Sequence, residues 1–171
     1  MPTLVSRAEA LEAIAAERGD TGCLMCALVD RAIGAVYAVY EDDDVLVMLP
    51  RYVRCWGTMM VIPKKHVTHY AEIETAVWSQ ANALALQAAR AVEQVFSPLR
   101  CYIASVGSNV GVHDLTQSSK HLHLHVIPVR EADTRPADVF SWSDGITIAE
   151  PAEWEALRDT YRRAWASLDA A

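Results

Sequence analysis

The stretch HLHLHVIPV, residues 121–129, constrains the fold more than any other feature, because histidines alternate strictly with aliphatic residues. Alternation that ends at Pro128 is typical of a β-strand with one polar and one apolar face. His121, His123 and His125 are then expected on the same face, with successive imidazoles about 6.6 Å apart. Three side chains that can each become cationic near neutral pH are awkward to pack, so the pattern favours a functional role. Two roles stay open: a metal site shared by neighbouring histidines, or a histidine nucleophile held by the other two.

Length and charge limit the class of protein. The 171 residues predict a single domain over residues 1–171, and 52% hydrophobic with 22% charged residues is a globular composition. A net charge of −7 argues against a nucleic-acid polymer as partner, since a phosphate backbone needs a basic face. Neither an apolar run of 18 residues nor a secretory signal is found. We therefore expect a cytoplasmic protein without membrane contact, whose four cysteines are reduced thiols or metal ligands.

Residue periodicity predicts an α+β fold. Ser6 and Glu9 form a capping box that begins an N-terminal helix within residues 1–19. Strands are predicted in GAVYAVYEDDDVLVMLP, which holds two joined by an acidic turn, in GTMMVIP, in CYIASVG and in the histidine stretch. A long helix is expected from about Glu72 to Phe96, and a final helix after Pro151, with irregular chain from Pro128 to Pro151. These elements predict an antiparallel sheet of about five strands with one long helix and extra helices at both ends.

The long predicted helix is apolar on more than one face. Besides its main stripe, Trp78, Leu86, Ala89 and Ala91 leave little polar surface, so two sides have to be covered. The expected cover is the same helix of a second subunit, and the alternative is the C-terminal segment of the same chain.

The pattern His-φ-His-φ-His-φ-φ at residues 121–127, where φ is apolar, resembles the signature of the histidine triad (HIT) superfamily of nucleotide hydrolases and transferases. Cys23-x-x-Cys26, a hairpin, VIPKKH at 61–66, a long helix, and Asn109 and Gln117 ahead of the triad follow the order of that family. The resemblance covers a core of about residues 20–130, between the helix of residues 1–19 and a C-terminal extension with a helix, residues 131–171. It implies a HIT-like meander sheet that pairs with a second subunit, and hence a homodimer.

The resemblance also implies the chemistry. A nucleotide small molecule, such as a dinucleoside polyphosphate or a nucleotide phosphoramidate, would be attacked at its α-phosphate by His123, with a covalent nucleotidyl-histidine intermediate. An imidazole suits this task because it is nucleophilic while neutral and its phosphoramidate is labile. Hydrogen-bond donors have to face the oxygens on which negative charge builds. The implied catalytic residues are His121, His123 and His125, and the implied nucleotide-binding residues are Asn109, Gln117, Ser118 and Ser119.

Zinc-bearing, bacterial-type members of this superfamily imply a second set of residues. The matching ligands are Cys23, Cys26, His66 and His121, and four protein ligands would make the zinc structural. No organic cofactor is expected. One alternative is that the two cysteines are buried small hydrophobic residues and His66 a surface residue. Another is that His69 takes the place of His66.

The match departs from the family at several positions. Pro50 stands where an Asp usually holds the ribose hydroxyls, and Thr58 stands where a histidine is common. The loop before the triad has Leu115-Thr116 in place of small glycines that let a backbone approach phosphate. Arg51 and Arg54 either clamp a terminal phosphate or are simply solvated.

These departures keep other functions open beside the enzyme. One is a zinc-stabilised nucleotide-binding protein without significant turnover, and another is a metalloenzyme in which the histidine ladder holds a catalytic metal. In the C-terminal extension, Trp142 either offers a stacking surface or packs in the core.

Overall fold

The computed structural model describes residues 1–18, 22–106, 120–132, 134–142 and 144–170. Its strands are β1 (Thr3–Val5), β2 (Tyr37–Glu41), β3 (Val45–Leu49), β4 (Met59–Pro63), β5 (Arg100–Ala104), β6 (Leu124–Val129) and β7 (Ile146–Ile148). Its helices are α1 (Arg7–Arg18), α2 (Leu24–Val29), α3 (Thr75–Phe96), α4 (Pro136–Phe140) and α5 (Pro151–Asp169). The predicted α+β class is confirmed. No helix in the described part of the chain is long and apolar enough to cross a membrane.

The central sheet is antiparallel and has the strand order β2-β3-β4-β6-β5. The hairpin of β2 and β3 turns at Asp42, whose carboxylate accepts hydrogen bonds from the backbone N–H of Asp44 (2.9 Å) and Val45 (2.8 Å). β6 lies between β4 and β5, so His125 is paired with Met60 on one side and Ala104 on the other. The five predicted strands of this sheet are therefore confirmed.

Alternate residues of the sheet pack on opposite faces, and both faces are covered. On β4, Met59 and Val61 join the core formed with α3 and α5. Met60 and Ile62 point the other way and pack with α2. Because both faces are buried, β3 and β4 read as continuous apolar runs rather than as alternations.

Helix α5 covers the second side of α3. Its Trp154, Tyr161 and Trp165 are buried in one cluster with Ala88 and Val92 of α3. Full burial of a large apolar side chain contributes about 1.5–3 kcal/mol relative to exposure. The C-terminal segment thus covers Ala89 and Ala91, as the alternative predicted, whereas Leu86 of α3 stays 48% exposed in the single chain. Pairing with the same helix of a second subunit stays a prediction.

Several short elements differ from the sequence-based prediction. α3 begins at Thr75 rather than near Glu72, and α2 was not predicted at all. The chain from Pro128 to Pro151, expected to be irregular, contains the end of β6, α4 and β7. β7 pairs antiparallel with β1, which was also missed, so two distant segments form a second, two-stranded sheet. Elements of three to six residues leave too little periodicity to be recognised, and these depend on distant partners.

Candidate active site and metal centre

The three histidines do not form the single ladder that the alternation predicted. Strand β6 begins only at Leu124, so His121 and His123 precede it. The chain there is held by a hydrogen bond from the N–H of Leu122 to the carbonyl of Val67 (2.8 Å). His121 is turned toward the cysteines at α2, whereas His123 and His125 line a cleft.

His121 is fully buried and held at both ring nitrogens. Its Nε2 lies 2.7 Å from the carbonyl oxygen of Pro63, the last residue of β4. A carbonyl only accepts, so Nε2 carries the hydrogen and the Nδ1 lone pair faces outward from that bond. The Nδ1 atom lies 3.6 Å from the sulfur of Cys23 and 3.5 Å from that of Cys26. The strand end thus fixes the tautomer that a metal ligand needs.

His123 is oriented by the same logic. Its Nδ1 donates to the backbone carbonyl of His121 (2.8 Å), which leaves the lone pair of the neutral ring on Nε2. That Nε2 lies 3.0 Å from Nε2 of His125, so His125 is the donor of this bond when both rings are neutral. The two rings therefore hold one nitrogen with an electron pair, on His123, and one N–H donor, on His125, hydrogen-bonded to each other.

Burial keeps both rings neutral. It lowers the pKa of His123 below 6.5, although the hydrogen bond to the His121 carbonyl opposes the shift. Burial and the neighbouring His123 lower the pKa of His125 to about 3. At pH 7 both imidazoles are uncharged, which is the form in which histidine is nucleophilic.

Cys23, Cys26, His66 and His121 bring four ligand atoms within 4.8 Å of one another. Cys23 immediately precedes α2, Cys26 lies in its first turn, and His66 follows β4. The Cys26 sulfur lies 3.2 Å from Nδ1 of His66 and 3.5 Å from Nδ1 of His121. In a tetrahedral zinc site a thiolate sulfur and an imidazole nitrogen lie about 3.6 Å apart. The predicted residues thus meet, and sulfur–nitrogen distances of 3.2, 3.5 and 3.6 Å are close to the value for tetrahedral zinc.

The chemistry of the donor set also fits zinc. Two thiols and two imidazoles are the ligands that zinc prefers. Burial and a hydrogen bond with Cys23 raise the pKa of Cys26 to about 11, so its thiolate needs a cation beside it near neutral pH. Among the described residues, the group that could hold a metal includes neither His69 nor the pair His123 and His125. A catalytic metal on the histidine ladder therefore finds no support there.

A cleft of about 640 Å³ opens beside His123 and His125, a size within the range of small-molecule sites. Its walls come from α1, α2, the segment after β3 and the C-terminal segment. The other positions singled out in the sequence that line it are Cys23, Pro50, Arg51, Arg54, Thr58, His66 and Trp142.

Glu17 is a lining residue that the sequence did not reveal. Its carboxylate accepts two hydrogen bonds from the Arg51 guanidinium, at 3.0 and 2.6 Å, and one from the Tyr52 hydroxyl, at 2.8 Å. These partners are 34 and 35 positions away, so no local pattern distinguishes Glu17 from the other acids of α1. The predicted nucleotide-binding residues Asn109, Gln117, Ser118 and Ser119 lie outside the described part of the chain.

Comparison with solved structures places this fold among histidine triad proteins. A Zn-bound histidine triad family protein from Mycobacterium smegmatis superposes with a TM-score of 0.67 at 25% identity, covering 89% of this chain and 99% of that one. A hypothetical histidine triad nucleotide-binding protein from Sulfolobus tokodaii gives a TM-score of 0.66 at 23% identity, covering 86% and 94%, a likeness of fold alone.

The family itself follows from the sequence comparison. The model of the HIT domain family matches residues 36–132, more than half of the chain. This chain belongs to the HIT domain family. An uncharacterised HIT-like protein of Mycobacterium tuberculosis is 26% identical over 152 residues, which cover 87% of this chain and 96% of that protein. Protein hit of Bacillus subtilis is 30% identical over 107 residues, which cover 62% and 70%.

Proposed function

We propose that this protein is a nucleotide hydrolase or nucleotidyl transferase that acts on the α-phosphate of a nucleoside 5′-phosphate derivative. The observation that supports this most directly is the His123–His125 pair in a cleft, where the Nε2 electron pair of a neutral His123 accepts a hydrogen bond from the N–H of His125 that a substrate oxygen can take over. Membership of the HIT family supports the same class of reaction.

In the proposed first step, the Nε2 electron pair of His123 attacks the α-phosphorus. The bond from phosphorus to the leaving group breaks, and its electron pair departs with that group. The hydrogen on Nε2 of His125 then has a phosphate oxygen as its acceptor, where negative charge builds. Gln117, Ser118, Ser119 and Asn109 are proposed as further donors to the nucleotide.

In the second step, water or another acceptor attacks the same phosphorus. The bond between phosphorus and Nε2 breaks and returns its electron pair to His123, while the proton of the attacking water passes to solvent. The nucleotide leaves as a monophosphate when water is the acceptor. His121 acts as a positioning residue, because its carbonyl holds the Nδ1 hydrogen of His123.

We also propose that Cys23, Cys26, His66 and His121 hold a structural zinc ion. Bound there, zinc would supply a cross-link between the start of α2, the end of β4 and the triad. Four protein ligands leave no open position for substrate. The protein is further proposed to act on small-molecule nucleotides in the cytoplasm. It is proposed to be a single domain and to form a homodimer.

A second candidate function is a zinc-stabilised nucleotide-binding protein without significant turnover. Pro50 favours it, because this cleft-lining residue offers no hydrogen-bond acceptor on its side chain to a ribose.

Intact-protein mass spectrometry without acid, after brief mixing with adenosine and guanosine phosphate derivatives, tests the proposed enzyme. A mass increase of one nucleoside monophosphate is expected in the wild type and in His69→Ala, a matched control outside the triad, but not in His123→Ala. Product release is followed in parallel, to detect an intermediate that does not accumulate. Nucleotide binding with neither adduct nor product from any substrate would establish the binding protein instead.

A further inference from the structure

The two arginines that line the cleft after β3 differ in how their charge is satisfied. Arg51 forms a bidentate pair with Glu17, so its positive charge is neutralised within the wall. Arg54 reaches a single carboxylate oxygen, with Nη2 3.3 Å from Asp144, whose side chain is 58% exposed. An ion pair of that length and exposure contributes little free energy, so Arg54 can exchange it for another anion.

Arg54 also carries an unused donor. In the part of the chain that the structure describes, its Nε is a buried side-chain nitrogen without a hydrogen-bond partner. Leaving a buried donor unpaired costs about 1–3 kcal/mol, so such a group in a binding cleft points to a ligand that satisfies it. The planar fork of a guanidinium matches two oxygens of a phosphate.

The backbone holds Arg54 in this position. The neighbouring Val53 donates its N–H to the carbonyl of Thr147 (3.2 Å) and accepts a hydrogen bond from the Thr147 N–H (2.7 Å). Thr147 lies in β7, and Asp144 precedes that strand. Strand β7 therefore fixes where the side chain of Arg54 enters the cleft.

The charge of the cleft opposes that of the whole chain. Although the net charge is −7, the described lining contains the bases Arg51, Arg54 and Lys120 against the acid Glu17. Glu17 and Arg51 neutralise each other, and the exposed Asp144 is the carboxylate paired with Arg54, so a phosphate that takes the place of Asp144 meets the positive charge of Arg54. An anionic ligand is then attracted to that place.

We propose that Arg54 is a specificity-determining residue that binds a phosphate of the leaving group. The substrate class is then a nucleoside 5′-di- or polyphosphate derivative, including dinucleoside polyphosphates, in preference to a nucleotide phosphoramidate. This inference rests on the proposed function, in which His123 attacks the α-phosphorus, and adds a contact beyond that phosphorus.

Two substrates that share the adenylyl group separate this role from a structural one. Diadenosine tetraphosphate has a phosphate-bearing leaving group, and adenosine 5′-phosphoramidate has a neutral one; the guanosine pair is run in parallel. Arg54→Gln is expected to lower kcat/KM for the tetraphosphate about 10- to 100-fold. The kcat/KM for the phosphoramidate is expected to change less than about twofold. Arg54→Lys keeps the positive charge but lacks the planar guanidinium. It is expected to retain part of the preference for the tetraphosphate over the phosphoramidate.

Arg130→Gln is the matched control, because Arg130 is exposed and its guanidinium packs over the ring of Phe96. This variant is expected to leave kcat/KM unchanged for both substrates. An equal loss on both substrates in Arg54→Gln, or no loss on either, overturns the inference.

A binding measurement keeps the test separate from turnover. In a His123→Ala background, Arg54→Gln is expected to weaken the affinity for ADP about 10-fold or more and to leave the affinity for AMP unchanged. If the wild type turns over neither substrate while this difference holds, the proposed enzyme fails and the role of Arg54 stands. Equal affinities of the two proteins for ADP refute the role of Arg54, whatever the catalytic result.

Discussion

His121 joins the two halves of the site through three of its atoms. Its Nε2 is fixed by Pro63, its Nδ1 faces the cysteine sulfurs, and its carbonyl oxygen orients His123. A metal held by the side chain therefore also steadies the hydrogen bond that keeps the His123 electron pair on Nε2. The metal centre and the cleft are consequently expected to respond together when one ligand is lost.

Replacement of a proposed zinc ligand tests this connection. Cys26→Ser is expected to weaken zinc binding by at least about 100-fold, since even the loss of an outer partner of a ligand costs 10- to 100-fold. Zinc per chain, measured by elemental mass spectrometry after dialysis, should fall well below the wild-type value, and the thermal midpoint should fall with it.

Cys101→Ser is the control for that experiment. Cys101 is a half-buried thiol in β5, and burial raises its pKa to about 11, but it lies outside the four-residue metal group. Its variant should keep the wild-type zinc content. Unchanged zinc in both variants, or absence of zinc from the wild type, would contradict the structural zinc.

Tyr161 allows a second prediction about a single residue. Its hydroxyl is buried between α5 and the sheet and donates to the carbonyl of Gly57 (2.6 Å). Tyr161→Phe leaves that carbonyl unpaired and is expected to lower the free energy of unfolding by about 1–2 kcal/mol in urea. Tyr70→Phe removes an exposed hydroxyl that donates to Ser105 (3.0 Å), and it should cost less than about 0.5 kcal/mol. Equal losses would show that burial of the hydroxyl is unimportant.

At the level of elements, prediction from sequence succeeded where a signal is local. Ser6 and Glu9 do exchange hydrogen bonds, at 2.8 and 3.2 Å, and α1 begins directly after Ser6. The hairpin of β2 and β3 also follows from its acidic turn. The pairing of β1 with β7 could not be predicted, because neither three-residue strand is stable without the other.

The turn of the hairpin provides a test of its own. Partial burial of Asp42 by itself raises its pKa, but hydrogen bonds from the N–H groups of Val45 and Asp44, from Tyr40 and from Gln80 outweigh this, and the net pKa lies below 3.8. A carboxyl with a lowered folded-state pKa contributes stability that is complete above the unfolded pKa and is lost as the pH falls through the folded value. Asp42 therefore stabilises the hairpin at pH 7 and ceases to do so in acid.

Asp42→Asn is accordingly expected to lower the unfolding free energy by about 1–2 kcal/mol at pH 7, with a difference from wild type that shrinks below about pH 3.8. Denaturant titrations at pH 7 and pH 3 measure both values. The adjacent exposed Asp43→Asn serves as control and should differ little from wild type at either pH. If Asp42→Asn lowers the free energy of unfolding by the same amount at both pH values, the charge-dependent role of Asp42 is refuted.

For the whole molecule, the sequence predicted the four-residue metal group better than it predicted the walls of the cleft. The resemblance to zinc-bearing members of the histidine triad superfamily implied the four members of the metal group, because the cysteines and histidines that carry it are chemically distinctive residue types. The walls depend on the long-range pairs Glu17 with Arg51 and Val53 with Thr147. Such residues are ordinary in composition, so only the folded chain identifies their partners.

Pairing of two chains is a prediction at this scale. β5 lies at one edge of the central sheet; Leu99, just before the strand, and Ile103, within it, are 67% and 42% exposed. An exposed apolar edge strand is a surface for association, so we expect light scattering to give twice the mass of one chain. Ile103→Lys should shift the protein to monomers, whereas Leu4→Lys, at an exposed position in β1, should not. A monomeric wild type would contradict the dimer.

The pairing of Thr3 with Ile148 also orders events during synthesis. A ribosome that adds about 5–20 residues per second delivers β7 on the order of ten seconds after β1. Until then β1 has no strand to pair with, and Val53 lacks the Thr147 that secures the cleft wall beside it. A nascent chain can therefore assemble the central sheet and the metal group before it has a finished cleft, and the wall beside Val53 is completed only once β7 has been made.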